Sequence, residues 1–149
     1  MASFRVLIVD DFEGFRHFVT MALQQRIECH VIGEAADGLA AVEQAQQLQP
    51  DLILLDIGLP NLSGIEVARC VRRLVPQAKI LFLSVDFSPT LVHAALSVGA
   101  LAYVHKQRAG RDLLPAIDAV LAGEHFVSSG LESIAPGSSF RRGPPRWPC

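Results

Sequence analysis

The sequence predicts a doubly wound α/β domain built on a parallel sheet, and two observations carry the prediction. Short β-branched or leucine-rich runs recur along the chain with helical stretches between them, the alternation that folds into β-α-β units. Most of these runs are continuously apolar rather than alternating, as strands buried on both faces are.

The first expected strand is Arg5 to Val9, and behind it Phe12, Phe15, Val19, Ala22 and Leu23 mark one helical face near the 3.6 period. His30 to Glu34 is the second strand, followed by a helix face of Ala41, Ala45 and Leu48. Leu52 to Leu55 is the third. Ser63 and Glu66 then form a capping box, in which hydroxyl and carboxylate satisfy reciprocal backbone donors, ahead of Ile65, Ala68, Val71 and Val75. After a fourth strand, Lys79 to Leu83, Ser88 and Pro89 suit an N-cap and a first helical position, and Gly99 suits the stop after Leu91 to Val98. Leu101 to Val104 is the fifth strand. The best amphipathic pattern, Leu113, Ala116, Ile117, Val120 and Leu121, ends at Gly123 and closes a domain expected over residues 4–123. Residues 124–149 turn to Ser, Gly, Pro and Arg and end FRRGPPRWPC. Such composition cannot offset ordering entropy, so a disordered tail or truncated linker is expected there.

A chain of 149 residues, half of them hydrophobic, fits one compact domain with an appendage. Net charge of -2 and a pI near 6.2 give no global basic field for nucleic-acid phosphates. Arg141, Arg142 and Arg146 with Phe140 and Trp147 are too few charges to change that. Cys29, Cys70 and Cys149 are odd in number and widely spaced, which argues against a disulfide framework or a zinc site. The five histidines show no metal-ligand spacing, and His105 and both inner cysteines read as structural. The start MASFRVLIVDD lacks a basic region and a long apolar stretch, so a soluble, cytoplasmic protein without membrane association is expected.

Polar residues gather at the ends of the apolar runs. Asp10 and Asp11 follow the first strand, Asp56 the third, Ser84 the fourth and Lys106 the fifth. In a parallel sheet these are carboxyl ends, and a flavodoxin-like order 2-1-3-4-5, with helices on both faces, makes the four contributing strands neighbours around one crevice. Each like-charge pair among the acids costs on the order of 3 kcal/mol at about 5 Å and an effective dielectric of about 20. One lysine cannot neutralise three carboxylates. Either one of them takes a proton, or a cation sits among them, and an oxygen-only cluster selects a hard ion such as magnesium. Lys106, opposite the metal, then completes a clamp on a transferring phosphoryl group, to which Ser84 donates one more hydrogen bond.

LIVDD at the start, LLDIGLPNLSG around Asp56, LS at Ser84 and GALAYVHK ending in Lys106 closely resemble the bacterial response-regulator receiver domain of two-component signalling. The resemblance covers roughly residues 4–123, and the ordered set of motifs is specific where any one alone is weak. It implies that Asp56 is the phosphoacceptor, that Asp11 and Asp56 bind Mg2+ directly (Mn2+ substituting), that Asp10 binds through water, and that the Gly58 carbonyl adds an oxygen. It further implies that Ser84 contacts the phosphoryl group, that Lys106 pairs with acceptor and phosphate, and that Tyr103 is the aromatic switch partner of Ser84. A sensor histidine kinase or phosphotransfer protein is the implied donor. A homodimer through the fourth helix, fifth strand and fifth helix is one implied output. Gly58, Val85 and Asp86, two after the acceptor and one and two after Ser84, are expected to tune phosphoryl lifetime and access. GALAYVHK and EAADGLAAV look most like regulators with a LuxR-type helix-turn-helix output, which the residues after Gly123 do not build, so no DNA binding is expected from this chain alone.

Two other functions compete. One is a truncated remnant of a DNA-binding transcriptional regulator. The other is a magnesium-dependent phosphohydrolase, ranked low because such enzymes carry a general acid two residues after the acceptor and here that residue is Gly58. An enzyme role beyond self-catalysed transfer to Asp56 and slow autodephosphorylation is not expected.

Overall fold

Six apolar strands assemble into one parallel sheet, and the computed structural model that shows this describes residues 2–128. The strands are β1 (Phe4–Val9), β2 (Cys29–Ala35), β3 (Leu52–Asp56), β4 (Lys79–Ser84), β5 (Ala102–His105) and β6 (Phe126–Val127). Their order is β2-β1-β3-β4-β5-β6, and every neighbouring pair is parallel. Between them run α1 (Glu13–Leu23), α2 (Gly38–Leu48), α3 (Gly64–Leu74), α4 (Pro89–Ser97) and α5 (Ala109–Leu121). The order over the first five strands is the one expected.

Because strand side chains alternate between faces, the sheet divides the core in two. Val6, Ile8, Leu52, Leu54, Leu81 and Val104 pack beneath α1 and α5. Leu7, Val9, Ile53, Leu55, Phe82 and Tyr103 pack beneath α2, α3 and α4. Both faces of β3 are therefore buried, which accounts for its unbroken apolar run.

Local chemistry sets the helix ends. Ser63 and Glu66 make both halves of the capping box, and the Ser88 hydroxyl caps α4 with Pro89 in its first turn. Gly99 (φ 104°) and Gly123 (φ 80°) take the left-handed backbone that ends α4 and α5.

Two expectations need correction. Phe12, expected on the buried face of α1, is 66% exposed, because it is the N-cap residue and precedes the helical face. Ordered structure does not stop at Gly123: Phe126 and Val127 add β6 to the edge of β5, and Ser128 is fully buried. A two-residue strand carries no periodicity, so its apolar pair was hidden among polar neighbours. Arg141, Arg142, Arg146, Phe140, Trp147 and Cys149 lie outside the described residues.

Candidate functional site

Register brings the polar strand ends together. Val9 pairs with Leu55, Asp56 with Leu83 and Ser84 with His105, so the chain leaves β1, β3, β4 and β5 at one edge of the sheet. There Asp10, Asp11 and Asp56 each offer a carboxylate oxygen, all within 4.8 Å of one another. Asp10 and Asp56 are buried (2% and 7% exposed), while Asp11 faces solvent.

Lys106 reaches this cluster from the turn after β5. Its Nζ lies 2.5 Å from Asp10 Oδ2 and 3.5 Å from Asp56 Oδ2, so in this structure its closer partner is Asp10 rather than the expected acceptor. Asp10 Oδ2 is charge-paired yet receives no well-aligned hydrogen bond. The ammonium balances the charge of this buried oxygen without satisfying it as a hydrogen-bond acceptor, so lone-pair capacity remains on it. Asp10 Oδ1 accepts from the Phe12 amide at 2.9 Å, which fixes the loop into α1. Arg16 holds the same loop from the helix by donating to the Asp10 carbonyl at 2.7 Å, and it also pairs with Glu34.

Burial pushes the Asp56 carboxyl above the usual carboxylate range. The Lys106 ammonium opposes this, the Asp10 charge adds to it, and the Gly58 amide, 3.4 Å from Oδ1, pulls it down. A buried acid that resists ionisation beside a second buried acid is a group short of positive charge. The donor set is all oxygen, the Asp10 oxygen has capacity left, and Asp11 opens to solvent. Those features fit a hard divalent cation that retains water. A side chain at Gly58 would meet nothing within 4 Å, so the space beside Asp56 is open.

On the other side of the crevice, Ser84 (3% exposed) accepts from the Asp86 amide at 3.1 Å, and its hydroxyl also meets the Tyr103 phenol. The Tyr103 hydroxyl donates to the Asp86 carbonyl. Tyr103 is fully buried, and burial pushes its phenol up to about 12, with Ser84 hydrogen bonding opposing, so it remains a donor at neutral pH. The Asp86 carboxylate accepts from Ser88 N at the start of α4, and Val85 beside it is 69% exposed.

Two further residues border the crevice, and His105 has the structural role expected of it. His105 is buried, places Nε2 3.1 Å from the Val85 carbonyl and packs edge-on against Phe87 at 4.3 Å. Its backbone amide donates to Ser128 Oγ, and the Ser128 hydroxyl donates to Asp112. Phe15, read only as core, places its ring 4.5 Å from Lys106 Nζ. Its position four residues after Asp11, on a helix that starts at the crevice, was the available signal.

The sequence profile of the response regulator receiver domain matches residues 6–118. The chain is 32% identical over 122 residues to the response regulator protein VraR of Staphylococcus aureus, covering 82% of this chain and 58% of that protein. Among solved structures it resembles a LuxR-family two-component response regulator from Aurantimonas sp. SI85-9A1 (30% identity, TM-score 0.83, 89% of this chain and 94% of that one). It also resembles the RcsB response regulator of Salmonella typhimurium, described for conformational dynamism in DNA interaction (25% identity, TM-score 0.82, 90% and 66%).

Proposed function

The chain belongs to the response regulator receiver domain family, and from that premise we propose that it is a phosphorylation switch with Asp56 as acceptor. The observation that carries this is the packing of Asp10, Asp11 and Asp56 within 4.8 Å, with Lys106 paired to two of them. Asp11, Asp56 and the Gly58 carbonyl would hold Mg2+ directly, and Asp10 through water. The bound ion would supply charge neutralisation at the acids and at the incoming phosphoryl oxygens.

An ionised Asp56 oxygen attacks phosphorus. The new P–O bond forms as the bond to the donor's leaving atom breaks, and the electron pair departs with that atom, for example an imidazole nitrogen that then takes a proton from water. The Lys106 ammonium stabilises charge on the phosphoryl oxygens, and the Ser84 hydroxyl turns to donate to one of them. Open space at Gly58 admits the donor and, later, the water that hydrolyses the acyl phosphate. A phosphohydrolase would need a general acid where Gly58 stands.

Switching runs through the Asp86 peptide. Its amide is tied to Ser84 and its carbonyl to Tyr103, so a Ser84 hydroxyl recruited by phosphate loosens one tie and shifts the other. The face altered carries α4, β5 and α5, where a second copy would dock. Because β6 covers the edge of β5, that face also includes Phe126 and Val127. A histidine kinase or phosphotransfer protein is the donor class that the reading requires. The chain spans 58% of the length of the curated relative described above, so a DNA-directed output like the one RcsB is described for would be a property of a longer protein. No helix among the described residues is long and apolar enough to cross a membrane.

Incubation with a small phosphodonor and Mg2+, followed by intact mass, tests the reading. Addition of one phosphoryl group to wild type and none to Asp56→Asn is expected. Wild type that gains no mass would overturn it.

A further inference from the structure

We propose that Phe15 is a positioning residue for phosphoryl transfer, its ring face holding the Lys106 ammonium over the Asp10 and Asp56 carboxylates; this rests on Asp56 being the acceptor. Lys106 Nζ lies 2.5 Å from Asp10 Oδ2, 3.5 Å from Asp56 Oδ2 and 4.5 Å from the Phe15 ring centroid. A lysine has a flexible four-carbon stem and a compact charge, so without lateral support its ammonium samples many positions.

Phe15 stands in the first turn of α1, the end of the helix that carries partial positive charge, and Arg16 brings a second cation to the Asp10 loop. The Phe15 ring meets the Lys106 ammonium there. An aromatic face is attractive to it, by about 0.5–1 kcal/mol when exposed and about 2 when desolvated. The Lys106 side chain is 14% exposed, which places the contact toward the desolvated case. Phe15 is itself braced by Phe18, whose ring lies 5.5 Å away. An aliphatic residue would fill the same volume and bury the same stem, yet would offer the charge nothing. Phe15 also packs against the core beneath α1 and α5, so its aromatic identity, beyond its bulk, is what Lys106 reads.

Graded fluorination of the ring separates these roles, since it drains the negative face with little change of shape. Chains carrying phenylalanine, 4-fluorophenylalanine or 3,4,5-trifluorophenylalanine at position 15, together with Phe15→Leu, are phosphorylated with acetyl phosphate at saturating Mg2+. Maximal rate and half-saturating donor concentration are recorded separately. The expected result is a stepwise fall in maximal rate, about 2- to 5-fold at trifluorophenylalanine, with unchanged melting temperature. In a Lys106→Met background the series should be flat. A flat series in the wild-type background with a slow Phe15→Leu chain would mean that Phe15 only packs. A fall that persists without Lys106 would equally overturn the proposal. Failure of the unsubstituted chain to take a phosphoryl group would instead remove the parent reading.

Discussion

Asp56 destabilises the fold that displays it. Burial raises its affinity for a proton above that of the unfolded chain, which sets the sign of a pH effect. Below the unfolded carboxyl's pKa both states are protonated and no penalty exists. As pH rises through that value the unfolded state loses its proton first, so stability falls until the folded value is passed and the penalty is complete. Asp56→Asn should therefore be more stable than wild type at neutral pH, on the order of 1 kcal/mol, with the difference vanishing near pH 3 in urea denaturation. Removing the cation does the reverse. Lys106→Met leaves buried Asp10 without its partner and should cost about 3–5 kcal/mol, of which added Mg2+ restores a measurable part in thermal melts because it binds only the folded cluster. Among single residues, the acids and lysine were legible because charge at the end of an apolar strand is costly. The contact of Phe15 with Lys106 was not, because an aromatic on a helix face reads as packing.

At the scale of elements, two junctions decide the site. The first is the turn from β3 into α3. Gly64 sits so close beneath it that a Cβ would collide with the Asp56 carbonyl, and its amide donates to the Ile57 carbonyl at 2.8 Å. Gly64→Ala should cost at least about 2 kcal/mol through forced backbone movement and should slow phosphorylation by displacing Asp56, measured by denaturation and by intact mass. The second junction is the end of α5. Ser128 N donates to the Tyr103 carbonyl, Ser128 Oγ accepts from the His105 amide, and the Ser128 hydroxyl donates to buried Asp112. Ser128→Ala strands two buried groups and should cost about 1–3 kcal/mol, with faster hydrogen exchange at the His105 amide as the local signature. The capping box of α3 was legible from its own four residues. The β6 junction was not, because its partners are 16 to 25 positions away.

For the whole molecule, the sheet converts separated strand ends into one charged crevice and links it to a distant edge. From Ser84 the hydrogen bonds pass through Asp86 to Tyr103, while His105 ties Val85 to the Ser128 anchor. By itself the sequence determined the fold class, the strand order over five strands and the membership of the acid-lysine cluster. The fold class and the cluster follow from hydrophobic runs, local caps and the rule that parallel strands share an end, and the strand order from the resemblance to the receiver family. Only the tertiary structure decided that Lys106 lies nearer Asp10 than Asp56, that Phe15 faces the ammonium, that Tyr103 is fully buried and that the sheet has a sixth strand. Each depends on distances between side chains far apart in sequence, which close packing settles to within an ångström and no local pattern records.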